Sequence, residues 1–83
     1  VTRIQIDFAV AEGAVLRIIG LVERRGFRVV GIVMDEAGPT AAMTLDIQPR
    51  DRSRRTEILL PQIRRIHGVT AVHTIPVPQA SAA

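Results

Sequence analysis

The chain has 83 residues, 47% hydrophobic and 23% charged, with a formal net charge of +3, a globular composition with room for one core and not two. It has no Cys, which excludes disulfides and thiolate chemistry and suits a reducing, cytoplasmic setting. Every basic side chain is Arg, which excludes Schiff-base lysine chemistry; no apolar run reaches the ~20 residues that cross a bilayer, and the start Val1-Thr2-Arg3 does not read as a signal peptide.

Residues Arg3 to Val10 alternate strictly, with Ile4, Ile6, Phe8 and Val10 on one side and Arg3, Gln5, Asp7 and Ala9 on the other. That period of two predicts a half-buried strand. Gly13 to Gly26 predicts a helix with an apolar stripe of Val15, Ile18, Ile19 and Val22. Gly26 supplies a left-handed stop, Arg24 and Arg25 suit the negative end of the helix dipole, and Gly20 in mid-helix implies close packing against a neighbour.

Phe27 to Asp35 is β-branched and apolar on both faces, with Val29 and Val33 opposite Val30, Ile32 and Met34; it predicts a second strand that needs cover on both sides. Glu36-Ala37-Gly38-Pro39 is a turn, and Thr40 to Gln48 alternates again, so the two runs form a hairpin. After a charged connection, Asp51 or Ser53 is positioned to cap a second helix from Arg54 to His67, continuous but kinked at Pro61 and ended by Gly68. Val69 to Val77 predicts a last strand, with Pro76 and Pro78 confining its end to an edge. Residues 1–78 are expected to form the single domain, and 79–83 a flexible C-terminal tail.

The order β-α-β-β-α-β, with two amphipathic helices and one apolar sheet face, predicts an α+β, ferredoxin-like two-layer sandwich with an antiparallel sheet in the order 4-1-3-2. The second strand then lies at an edge. An apolar open edge is a liability unless paired, and the simplest cover is the same strand of a second copy, through Val29, Val30, Ile32, Val33 and Met34.

Chemistry is sparse. His67 and His73 lack surrounding carboxylate pairs, and the sequence has no HExxH, GxSxG, P-loop or GxGxxG run and no metal-ligand spacing. The chain is expected to be no enzyme by itself and to hold no metal. The run Arg50-Asp51-Arg52-Ser53-Arg54-Arg55 raises single-stranded RNA as a partner, but the central strands lack the exposed aromatics on which bases stack. Gly13, at the start of the first helix, leaves backbone open to a small anionic group.

The segment Glu12-Gly13-Ala14-Val15-Leu16-Arg17-Ile18-Ile19-Gly20-Leu21-Val22-Glu23-Arg24-Arg25-Gly26-Phe27 resembles the first loop, helix and second-strand start of ACT domains. It is most similar to the small regulatory subunit of acetolactate (acetohydroxyacid) synthase, whose helix ends in a Gly-Leu-x-x-Arg-Arg-Gly-aromatic run. Met43-Thr44-Leu45 and Gln62-Ile63-Arg64-Arg65-Ile66-His67-Gly68-Val69 resemble that subunit's third strand and the end of its second helix. The single-domain length is similar to the short isozyme II type. The resemblance implies a homodimer that activates a catalytic large subunit, in which thiamine diphosphate, FAD and Mg²⁺ serve the condensation of pyruvate with pyruvate or 2-oxobutyrate in branched-chain amino-acid (valine, isoleucine, leucine) biosynthesis. It implies no cofactor in this chain.

In ACT domains the effector sits by the first loop at the dimer interface, which maps here to Val10, Ala11, Glu12, Gly13 and Ala14. The family's polar residue three places before the loop glycine is Val10 here, and its usual loop proline is Glu12. Both departures argue against valine as an effector, since Val10 has no side-chain partner for an α-amino group. Arg17, Arg24 and Arg28 are candidate contacts to the large subunit. The alternatives are a free-standing ACT-type amino-acid sensor and an RNA-binding module.

Overall fold

A computed structural model describes residues 1–77. Its elements follow the expected order: β1 (Thr2–Ala9), α1 (Ala14–Arg24), β2 (Phe27–Ala37), β3 (Thr40–Pro49), α2 (Thr56–Arg64) and β4 (Val69–Ile75). The four strands form one antiparallel sheet in the order β2-β3-β1-β4. This is the anticipated ferredoxin-like arrangement, with both helices on one face. Pro78 and the tail at 79–83 lie outside the described residues.

The period-two pattern places the core where the sequence predicts it. Ile4, Ile6 and Phe8 of β1 and Ala41, Met43, Leu45 and Ile47 of β3 are buried beneath the helices. Burying each large apolar side chain is worth about 1.5–3 kcal/mol. These two central strands therefore supply most of the sheet's contribution, and β4 adds only Val72. The opposite face is polar: Arg3, Gln5 and Asp7 lie beside Asp46, Thr44 and Ala42 in register. There the Arg3 guanidinium donates two hydrogen bonds to the Asp46 carboxylate, at 2.7 and 3.1 Å.

Val10 departs from its predicted place. β1 ends at Ala9, and Val10 is 42% exposed in the loop, because the chain leaves the sheet there to enter α1. The buried face of α1 is centred on Ala14, Ile18 and Val22, with Val15 packed alongside and Ile19 only half-buried. The small Ala14 lets the first turn approach the sheet. Gly20 does not serve close packing: a Cβ there would meet only Arg24 Nη1 of its own helix, at 3.2 Å. Gly26 has φ 93° and ends the helix as expected.

The second helix is shorter than predicted. Arg55, in extended conformation, is its N-cap and makes no side-chain cap. Asp51 instead accepts hydrogen bonds from the N–H and hydroxyl of Ser53, a local turn that competes with capping. α2 runs through Pro61 without a break and stops at Arg64, followed by turns to Gly68 at φ 94°. β4 ends at Ile75, before Pro76.

A bulge reorganises β2. Val29 pairs with Ile47, but Gly31 pairs with Asp46, so Val30 is the extra residue. Beyond the bulge Ile32 opposes Leu45 and Met34 opposes Met43, on the helix side; Val33 opposes Thr44, on the polar side. Val29 therefore shares a face with Ile32 and Met34, not with Val33 as simple alternation predicts. Gly31 allows the close approach: a Cβ there would stand 3.2 Å from Asp46 Oδ2.

Candidate functional site

The loop from Val10 to Ala14 is tied at its base to two other turns. The Ala9 N–H donates to the Gly68 carbonyl at 2.8 Å, and the Val10 N–H donates to the Pro39 carbonyl at 2.9 Å. The first tie reaches the turn before β4 and the second the tip of the β2–β3 hairpin. Inside the loop the Ala14 N–H bonds Ala11 O at 3.1 Å. Gly13 then serves as N-cap of α1 with φ 80°, a left-handed conformation that a side chain would strain. Among the described residues, no side chain caps this helix, and no acidic residue lies in its first turn.

Val10, Ala11, Glu12 and Gly13 are exposed, and Ala14 is buried. The Arg17 guanidinium leans back over the cap, with Nη2 3.8 Å from where a Gly13 Cβ would be. Uncapped N–H groups, the positive end of the helix dipole and a guanidinium together favour a carboxylate. The ammonium of an amino acid finds no such provision from Val10, whose side chain cannot accept a hydrogen bond.

The edge residues divide. Val29 is half-buried and packs on the core. Val30, Ile32, Val33 and Met34 are 44%, 51%, 62% and 36% exposed, on an edge strand that, among the described residues, is unpaired on its outer side. Ile32 and Met34 stand beside fully buried neighbours on β3 yet remain open, because the helix layer does not extend over this end of β2. The exposed margin is apolar on both faces of the sheet.

Among the described residues, no group of three His, Asp or Glu side chains is placed to hold a metal ion, and no helix is long and apolar enough to cross a membrane. His67 and His73 are exposed and stand apart. Arg17 lies at the loop, whereas Arg24 and Arg28 lie near the other end of the molecule, so the three arginines do not form one surface. The Arg3–Asp46 pair was not foreseen; opposite charges on the polar side of two adjacent strands were its only signal. Its hydrogen bonds hold the Asp46 carboxyl below the usual carboxylate range. The hydroxyl and N–H of Ser53 do the same for Asp51.

A family model described as an ACT domain matches residues 10–72. No curated protein sequence matches the chain. Among solved structures, it is similar to the ACT domain from the GTP pyrophosphokinase of Chlorobium tepidum, at 19% identity over 89% of this chain and 95% of that one, with a TM-score of 0.74. It is also similar to the C-terminal domain of the MgtC protein from Mycobacterium tuberculosis, at 19% identity over 99% and 94%, with a TM-score of 0.65. A formyltetrahydrofolate deformylase from Burkholderia mallei matches over 88% of this chain but only 27% of its own, at 15% identity and a TM-score of 0.65. At these identities the structural likeness speaks for the fold, while the family model covers most of the sequence. The chain belongs to the ACT-domain family.

Proposed function

We propose that this ACT domain is a regulatory subunit of acetolactate synthase that activates the thiamine-diphosphate-dependent catalytic subunit, and that it works as a homodimer joined through β2. The observation that carries the reading is the bare apolar margin at Val30, Ile32, Val33 and Met34, which a single copy leaves in water. Two copies paired along this strand form one continuous sheet under a two-fold axis. The choice of catalytic partner rests on the resemblance of Gly20-Leu21 and Arg24-Arg25-Gly26-Phe27 to the synthase subunit.

In this reading the chain performs no chemistry. It activates by binding the productive arrangement of the large subunit better than the unproductive one, so that its differential affinity sets the population. Thiamine diphosphate, FAD and Mg²⁺ belong to that partner. In the loop at Val10 to Ala14, Val10 stands where the family has a polar residue and its side chain cannot accept a hydrogen bond from an ammonium group, which argues against control by valine.

Titrating the purified chain into its cognate large subunit tests this. Turnover should rise and saturate at a fixed ratio of the two chains; unchanged turnover rejects the proposal. Calorimetry with valine tests the loop, and the expected result is no heat of binding. Tight valine binding with no effect on the large subunit makes the chain a free-standing amino-acid sensor instead.

A further inference from the structure

Charge is distributed unevenly over the molecule. Residues 24–28 and 50–55 hold seven of the eleven arginines against one carboxylate, Asp51, so these two segments carry +6 while the whole chain carries only +3. The fold brings them to the same end of the molecule. Phe27 pairs with Pro49, Arg28 with Gln48, and the Arg50 N–H donates to the Gly26 carbonyl at 2.8 Å. The Arg54 side chain lies across Gly26, where a Cβ would stand only 2.7 Å from its Cδ. Asp51 is engaged by Ser53, and its nearest contact with Arg54 is 3.6 Å. Among the described residues, Arg3–Asp46 and Arg54–Asp51 are the only ion pairs, so most of this arginine pole has no internal counter-charge.

The pole borders a small open pocket of about 200 Å³. Arg25, Ser53, Arg54 and Arg55 line its polar side, and Ile58 lines its apolar side. The uncapped start of α2 lies beside it. Ile58 is 57% exposed, an aliphatic side chain left open among guanidinium groups. Gln62 also lines the cavity, and its Oε1 is buried with no hydrogen-bond partner among the described residues.

We propose that this pole docks an acidic segment of a protein partner, carboxylates meeting Arg25, Arg54 and Arg55 and one aliphatic side chain seated on Ile58. Guanidinium groups favour bidentate carboxylate pairing at interfaces. The cavity is smaller than the roughly 300–1,000 Å³ typical of free small-molecule sites, which suits a single anchoring side chain. Single-stranded RNA requires aromatics to stack its bases, and the one aromatic here, Phe27, is 2% exposed. The inference is independent of the catalytic partner proposed above.

The full chain, isotope-labelled, is titrated by NMR with three probes: a blocked peptide alternating Glu and Leu, an all-Glu peptide of equal length, and a single-stranded RNA oligonucleotide. The Glu-Leu peptide should produce saturable shifts around residues 25–27 and 53–62. Replacing Arg25 and Arg54 together with Gln should weaken its binding about tenfold, and Arg64→Gln with Arg65→Gln, at the other end of α2, should leave binding within about twofold. Ile58→Ser should weaken the Glu-Leu peptide and spare the all-Glu peptide. Tighter binding of RNA than of the Glu-Leu peptide at equal salt overturns the proposal, as do absent saturation or equal losses from the Arg64 and Arg65 changes.

Discussion

A single charge placed on the open margin of β2 tests the assembly most directly. Val33 is 62% exposed in the isolated chain, so Val33→Glu should change the folding stability of one copy by no more than about 0.5 kcal/mol. Complete burial of a valine side chain is worth about 1.5–3 kcal/mol, so covering the part of Val33 still in water is worth about 1–2 kcal/mol per copy. A two-fold interface counts the residue twice, giving about 2–4 kcal/mol, before the cost of burying two carboxylates is added. The dimer dissociation constant should therefore rise by at least about a hundredfold. Sedimentation equilibrium over a concentration series measures this, with Ile58→Glu as control: Ile58 is similarly exposed, at 57%, but lies on α2. The reasoning fails if Val33→Glu associates as the wild type does, or if Ile58→Glu dissociates the dimer equally.

Gly26→Ala and Gly38→Ala both force alanine into positive φ, at 93° and 66°, and each should cost about 1–2 kcal/mol. Nothing lies within 4 Å of a Cβ at residue 38, whereas residue 26 meets Arg54; urea unfolding should show Gly26→Ala the more costly by up to about 1 kcal/mol, with Arg54→Ala closing the gap. Equal losses in the two single variants would mean that Arg54 does not rest on Gly26. Arg3 holds the Asp46 carboxyl below its usual range, so the stability it contributes is present above the unfolded carboxylate pKa and fades as pH falls through the lower folded value. Asp46→Asn should lower stability near neutrality only slightly, because solvent screens this partly exposed pair. The difference should vanish in acid, and a difference that persists there would contradict the ion-pair account.

The fold was legible because its determinants are periodic. Ile4, Ile6 and Phe8 against Arg3, Gln5 and Asp7 fix the face of β1, and Met43, Leu45 and Ile47 fix that of β3. Boundaries were less legible where local hydrogen bonds compete. Asp51 satisfies Ser53 rather than a helix end, and α2 starts late. Alternation carried straight through Gly31 does not reveal the bulge, although an isolated glycine inside a strand marks such a break. Of the candidate site, the loop glycine and the apolar edge could be read from sequence. The arginine pole could not, because it joins two segments that only the hairpin register brings together.

The two hydrogen bonds at the base of the first loop give residues 9 and 10 a mechanical role. Val10 hangs on Pro39, at the tip of the same hairpin whose outer strand is the open margin, while Ala9 hangs on the turn that feeds β4. A molecule that tugged this loop outward would strain both anchors together. Its pull would reach the rim of the sheet by a single backbone link, with no side chain needed to relay it.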